Sequence, residues 1–267
     1  KLGVGRYWRP KDYTRVDLGP VPLVRALADS LNDATVRLGM RIGLSKVANT
    51  LRRFGLTERI DEVPAMLLGA SDLSPFELAQ LYNGLADGGF RTPLRAVQAV
   101  VSADGKPLKA FPVRVTQVAA PADVYQVTTM MEQVLNKGTG TPALAILPPG
   151  LTTAGKTGTS QNDRDSWFAG FSGSDLVVVW VGYDHDQPTG LTGSMGALPV
   201  WAHIMTSIGT LPLSMPPPQS LTDTWIDFAT GLETTPACDA GNAVEVAVPE
   251  GAQLPEMGGC GLGQGLL

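Results

Sequence analysis

Cysteine and histidine are scarce in this chain of 267 residues, which contains two of each. Cys238 and Cys260 lie near the C-terminal end in Gly- and Pro-rich sequence, whereas His185 and His203 lie far upstream. This spacing makes a poor metal site, so no metal is predicted. Two free thiols or one disulfide both fit the cysteines, and loop sequence around a small core favours a Cys238–Cys260 disulfide.

Long apolar runs, basic charge and a leader are also lacking. No apolar run approaches the roughly 18 residues that cross a bilayer, and no signal peptide is recognisable. A net charge of −5 argues against a nucleic-acid-binding surface. With 43% hydrophobic and 17% charged residues, the chain is globular. Because it starts without methionine, we expect an internal piece of a longer protein, whose location its missing signals do not reveal.

The predicted elements change in character near residue 150. Before it, helices are predicted at 23–29, 34–42, 46–54 (capped by Ser45), 75–87 and 123–136, with a hairpin around residues 103–106. The clearest start is Ser74-Pro75-Phe76-Glu77, a capping box with proline at the first helical position. After it, β segments at 151–159, 166–172 and 175–183 have short links, which predict antiparallel pairing. A helix at 197–208 follows.

The C-terminal end is predicted to be a separate small unit. Proline-rich sequence over residues 211–220 predicts a stiff linker. The main domain then covers 1–210, and 221–267 forms a β appendage with strands at 224–230 and 243–248.

The segment Ala154–Thr159 reads Ala-Gly-Lys-Thr-Gly-Thr and carries the strongest chemical signal. On a strand, Lys156, Thr157 and Thr159 would place one cation and two hydroxyl donors along an exposed edge, and Gly158 would leave room for a ligand backbone. Such an edge can hold a carboxylate by charge-assisted hydrogen bonds, each worth roughly 1.5–3 kcal/mol. A surface strand with a solvated lysine remains the alternative.

A Ser-x-Asn pattern occurs at Ser30–Asn32 and again at Ser160–Asn162. Ser30 is the better candidate, because it breaks a helix and would present its hydroxyl together with the Asn32 amide. We interpret the second copy as a turn.

A Ser-x-x-Lys nucleophile motif is absent from the chain. None of its seven lysines has a serine three residues before it. The nearest fit is Thr153-x-x-Lys156. That pair lies on a predicted strand, where side chains three residues apart face opposite sides of the sheet. Nothing marks a Ser-His-Asp triad, since both histidines are interpreted as structural.

With these residues placed, the chain resembles the transpeptidase domain of class A penicillin-binding proteins, most of all the type-1B bifunctional peptidoglycan synthases of Gram-negative bacteria. The resemblance runs from about Tyr7 to Cys260. It is carried by Arg6-Tyr7-Trp8-Arg9, Ala26-Leu27-x-x-Ser30-x-Asn32, Val63 to Ala70, Gly138-Thr139-Gly140, Ala154 to Thr159, Trp167-Phe168-Ala169-Gly170 and Trp180-Val181-Gly182.

The resemblance implies an α/β (α+β) fold of the penicillin-binding transpeptidase and serine β-lactamase type, with an antiparallel sheet flanked by helices. Its N-terminal part would be missing here, so residues 1–210 would be the C-terminal portion of the domain. The implied chemistry is acyl transfer from D-Ala-D-Ala stem peptides, which cross-links the cell wall, binds penicillin and needs no cofactor.

Roles follow from the resemblance position by position. Ser30 would relay a proton to the leaving group, and Asn32 would hold the donor amide. Lys156 would favour the deprotonated state of Ser30 and attract the donor carboxylate. Thr157 and Thr159 would bind that carboxylate, and the Thr159 N–H would form half of the oxyanion hole.

The resemblance places the nucleophile, a glycosyltransferase domain and a membrane anchor upstream of this chain. The parent would be a serine acyltransferase on the periplasmic side of the inner membrane. Its partners would be stem peptides, β-lactams and the upstream part of the same protein, without nucleic acid. This chain alone would be inactive. A non-catalytic module that binds stem peptides or a partner remains open, as does a β-lactamase or D,D-carboxypeptidase.

Overall fold

Three antiparallel strands between helices organise the part of the chain that this computed structural model describes, residues 10, 12–13 and 18–257. Within it, the helices are α1 Leu23–Ala28, α2 Asn32–Ile42, α3 Leu44–Phe54, α4 Pro75–Ala86, α5 Pro121–Asn136 and α6 Ala197–Ile208. Short 3-10 turns span Pro64–Leu68, Thr141–Ala145 and Gln161–Asp163.

Local sequence signals place most helix ends correctly. The capping box of α4 is confirmed, because the Glu77 N–H donates to the Ser74 hydroxyl while the Glu77 carboxylate accepts from the Ser74 N–H. Three predicted starts are wrong by two residues, and one of them is that of α5, which begins at Pro121 rather than at residue 123. Helix α2 begins two residues early, at Asn32, and α3 follows the turn at Gly43. The predicted cap Ser45 instead donates its hydroxyl to the Glu62 carboxylate.

The central sheet is the predicted meander of β5 Ala154–Thr159, β6 Ser166–Phe171 and β7 Leu176–Val181. Its order is β5-β6-β7, and both pairs are antiparallel. Smaller pairs join β1 Phe90–Arg91 to β4 Thr116–Gln117 and β2 Ala99–Val101 to β3 Pro107–Ala110. The β2–β3 pair is the predicted hairpin.

Helices cover both faces of the central sheet. On one face, Phe168 of β6 packs on Trp201 of α6, with ring centroids 4.6 Å apart and both side chains fully buried. On the other face, Ala154 and Phe171 pack with Met131 of α5. Strict alternation along the strands therefore gives the sheet two apolar faces, and β5 lies at an edge of the described sheet.

The C-terminal segment forms an antiparallel pair of β8 Leu221–Asp227 and β9 Ala243–Pro249. The pairing is as predicted, but β8 lies three residues before the predicted range of 224–230, because residues 228–230 form a turn. Its buried face, with Ile226 and Val244, contacts Val24 of α1 and Met130 of α5. The Gln126 amide of α5 also donates to the Ala247 carbonyl at 2.9 Å. The division into 1–210, a linker at 211–220 and a unit at 221–267 stays a prediction, and Cys260 lies outside the described residues, as does Arg6-Tyr7-Trp8-Arg9.

One carboxyl group at this contact should make stability depend on pH. Burial, together with the negative charges of Glu245 and Asp223, raises the pKa of Glu132 on α5 to about 7. Because the folded state then binds the proton more tightly than the unfolded state, stability falls as the pH rises from about 4.5 to 7.

We expect Glu132→Gln to stabilise the protein at pH 8 by about 1–2 kcal/mol, less than the full shift implies because solvent reaches part of this side chain. Near pH 4 the two proteins should unfold alike, since the acid is then neutral in both states. Urea unfolding at pH 4, 6 and 8 measures this, with Glu250→Gln at an exposed position as the control. An equal effect at every pH would contradict the assignment.

Candidate active site

Strand β5 presents the predicted site residues at the edge of the sheet. Lys156 and Gly158 lie on one face, opposite Ala169 and Trp167 of β6, while Thr157 and Thr159 lie on the other. A side chain at Gly158 would meet the Trp167 Cβ at 3.1 Å. Glycine there keeps the strand close to β6 and the edge beside Lys156 open.

Ser30 lies where α1 ends, in a left-handed conformation with φ of 58°. The N–H of Leu31 donates to the Ala26 carbonyl at 2.9 Å, and that of Ser30 donates to the Leu27 carbonyl at 3.2 Å. This pair of bonds is a Schellman motif, in which the left-handed position usually holds glycine. A serine there is strained, and its side chain is exposed toward β5.

The Lys156 ammonium joins the two elements. Its Nζ donates to the Ser30 hydroxyl at 2.8 Å and to the Thr157 carbonyl at 3.1 Å. Burial lowers the pKa of Lys156 to about 8. A lysine with this pKa is mostly charged at neutral pH, yet it exchanges a proton with a neighbouring hydroxyl more readily than a solvated lysine does.

Both threonine hydroxyls on β5 have partners from neighbouring loops. The Thr159 hydroxyl accepts from the Gly193 N–H at 2.9 Å. The Thr157 and Thr139 hydroxyl oxygens lie 2.6 Å apart, and Lys156 Nζ is 3.4 Å from the Thr157 hydroxyl. The edge therefore combines one cation with two hydroxyls whose positions are fixed by hydrogen bonds.

The loop after α5 reaches the end of α1 through a close backbone contact. The Thr139 N–H donates to the Ala28 carbonyl at 3.0 Å. A Cβ at the preceding residue, Gly138, would lie 2.1 Å from that carbonyl oxygen. Glycine at this position allows the approach, which holds the Ser30 turn beside β5.

The structure thus brings together Ser30, Lys156, Thr157 and Thr159, and it places Asn32 two residues beyond Ser30 in the first turn of α2. The second Ser-x-Asn forms a turn in which Asn162 has a φ of 60°, and the Ser160 hydroxyl accepts from the Asp165 N–H. Sequence reasoning gave Thr139 no role, because no local pattern relates a loop threonine to a strand that follows it.

Comparison with known proteins identifies the family of this chain. Residues 2–206 match the family described as penicillin binding protein transpeptidase domain. The chain is 41% identical to penicillin-binding protein 1B of Escherichia coli over 84% of its own length and 27% of the relative's. It is 37% identical to penicillin-binding protein 1B of Vibrio cholerae over 93% of its length and 32% of the relative's. The chain thus spans about a third or less of these relatives.

Solved structures show the same fold. Penicillin-binding protein 1A from Haemophilus influenzae superposes with a TM-score of 0.81 at 20% identity, covering 96% of this chain and 44% of that one. PonA1 from Mycobacterium tuberculosis, solved in complex with penicillin V, gives 0.64 at 24% identity, covering 77% and 61%.

The strained turn predicts an unusual stability effect. Replacing Ser30 by glycine should stabilise the protein by about 1 kcal/mol, because glycine adopts φ of 58° without the steric cost of a Cβ. Ser30→Ala keeps the Cβ and should show no such gain. Urea unfolding of the two variants beside the parent measures the difference, and equal stability of both variants would show that the turn is not strained.

The lowered pKa of Lys156 predicts a distinct titration. Its side-chain resonance in carbon-13-labelled protein should titrate near pH 8, whereas the resonances of solvated lysines titrate at about pH 10.4. Lys156→Arg identifies the resonance by its disappearance. A midpoint at the ordinary value would mean that water reaches the ammonium freely.

Proposed function

Because the chain belongs to the transpeptidase domains of class A penicillin-binding proteins, we propose that it supplies the proton-transfer and carboxylate-binding part of a D,D-transpeptidase site. The substrate would be a peptidoglycan stem peptide ending in D-Ala-D-Ala. The observation that carries the proposal is the 2.8 Å hydrogen bond from Lys156 Nζ to the Ser30 hydroxyl.

The first half of the reaction is acylation. A serine hydroxyl attacks the carbonyl of the penultimate D-Ala, the C–N bond to the last D-Ala breaks, and that amine leaves with a proton. Ser30 gives this proton to the leaving amine, and the positive charge of Lys156 stabilises the Ser30 oxygen while that oxygen is deprotonated. The lowered pKa of Lys156 supports this role, since a buried ammonium exchanges its proton at small cost near neutral pH.

The second half is transfer to an amine of a neighbouring strand. The amine attacks the acyl-serine carbonyl, the C–O bond breaks, and the serine regains its proton. Asn32 would hold the donor amide, and the Thr159 N–H would donate to the oxyanion, a contact often worth about a hundred- to a thousand-fold in rate.

The donor carboxylate would bind at the β5 edge. Lys156 supplies positive charge there, while Thr157 and Thr159 supply hydroxyl donors about one strand repeat apart. Gly158 between them lets the peptide backbone come close to the strand. Penicillin carries a carboxylate in a comparable place, so the same edge would hold it.

The attacking serine would come from sequence upstream, because this chain has no Ser-x-x-Lys. The parent protein would be held at the periplasmic side of the inner membrane by an upstream anchor. No helix among the described residues is long and apolar enough to cross a bilayer.

Fluorescent-penicillin labelling tests the proposal, with this chain compared to a form extended upstream through a Ser-x-x-Lys motif. We expect labelling of the extended form only, a mass gain of one penicilloyl group, and at least a hundredfold slower acylation in Lys156→Ala. Lys137→Ala, at a surface lysine that binds the Gly241 carbonyl, is the matched control.

Other outcomes separate the alternatives. Labelling of this chain alone would place a nucleophile within it and contradict the proposal. A folded extended form that binds a D-Ala-D-Ala peptide but is never acylated would be a binding module. Rapid release of hydrolysed penicillin would instead indicate a β-lactamase.

A further inference from the structure

We propose that Thr139 is a positioning residue. Its hydroxyl donates a hydrogen bond to the Thr157 oxygen, so that the Thr157 hydroxyl proton is directed to the carboxylate of the donor peptide. The inference deepens the proposed function and rests on it. It assigns the loop after α5 a part in substrate recognition.

Two backbone hydrogen bonds hold Thr139 in place. Its backbone N–H donates to the Ala28 carbonyl at 3.0 Å, and its carbonyl accepts from the Ser194 hydroxyl at 2.6 Å. The end of α1 therefore fixes one backbone group of Thr139, and the loop before α6 fixes the other. What remains adjustable in Thr139 is the direction of its hydroxyl proton.

The Thr157 hydroxyl has two donor-capable neighbours, Lys156 and Thr139. A hydroxyl has one proton and two acceptor sites. Lys156 can only donate, and its Nζ lies 3.4 Å from the Thr157 oxygen, so it takes one acceptor site. Thr139, at 2.6 Å, either fills the second acceptor site or receives the Thr157 proton.

An arriving carboxylate decides between these two states. A carboxylate only accepts hydrogen bonds, so it favours the state in which Thr139 donates to Thr157 and the Thr157 proton points outward. The change needs rotation of two hydroxyl protons without movement of any heavy atom. Thr139 thus allows the Thr157 hydroxyl to donate to an anion while the oxygen atoms of both threonines stay in place.

The neighbouring hydroxyl shows the same arrangement without ambiguity. The Thr159 oxygen accepts from the Gly193 N–H, a group that can only donate. Its proton is therefore available to an acceptor. Gly193 and Ser194 are adjacent, so one loop before α6 fixes Thr159 directly and Thr139 through its carbonyl.

The test compares Thr139→Val, which removes the hydroxyl at nearly constant shape, with Thr139→Ser, which keeps it. The readout is the acylation rate of the upstream-extended protein by penicillin G and by its methyl ester, which lacks the anionic charge. The acid-to-ester rate ratio isolates carboxylate recognition from any general loss of activity.

We expect Thr139→Val to lower the acid-to-ester ratio about fivefold to tenfold, corresponding to one hydrogen bond, while Thr139→Ser keeps it within about twofold. Thr157→Val should lower the ratio at least as much, and adding Thr139→Val to it should lower the ratio no further. Thr141→Val, at an exposed threonine in the same loop, is the matched control.

The outcomes distinguish this inference from the proposed function. If the parent protein is not acylated at all, both fall. If it is acylated and Thr139→Val slows acid and ester equally, Thr139 has only a structural role and the inference is overturned. Thermal melting of each variant checks folding, and Thr139→Ala replaces the valine variant if that one does not fold.

Discussion

The candidate site depends on the Lys156 ammonium, whose hydrogen-bond acceptors are neutral oxygen atoms. Within the described residues, Lys156 donates to the Ser30 hydroxyl and to the Thr157 carbonyl, and burial lowers its pKa to about 8. A carboxylate partner would raise that pKa and would compete with an incoming anion. Neutral oxygen partners leave the positive charge available to a ligand, which is the condition that carboxylate recognition at this edge requires.

This arrangement needs several chain segments to be fixed at once. The edge strand supplies the cation and two hydroxyls, the end of α1 supplies Ser30, and the loop after α5 holds that turn through Ala28. Backbone contacts of this kind tolerate little displacement: a Cβ at Gly138 would lie only 2.1 Å from the Ala28 carbonyl oxygen. Strain at Ser30 is kept because the surrounding contacts over-determine its position.

Sequence reasoning predicted the parts of the fold that are encoded locally. The capping box at Ser74 and the short links of the β5–β6–β7 meander each depend on a few neighbouring residues. The pairing of β8 with β9 spans residues 228–242, and there the range of β8 was predicted three residues too late. The start of α3 was missed because the turn at Gly43 outweighs the capping preference of Ser45. Ser30, Lys156 and Thr157 could be given roles from motifs. Thr139 was noted only within the Gly138-Thr139-Gly140 resemblance and received no role, since its contact with Thr157 exists only after α5 packs beside β5.

The β8–β9 pair has a consequence for how the chain can vary. Its buried face rests on α1 and α5, and these helices end at the Ser30 turn and at the loop of Thr139. The first part of the connection between the two strands belongs to that contact, because Phe228 packs against the buried face and the Ala229 carbonyl accepts from Arg25 of α1. Its exposed stretches are residues 236–238 and 240–242. Evolutionary insertions should therefore accumulate in these exposed stretches, while the strand faces that touch the helices remain constant in length and volume.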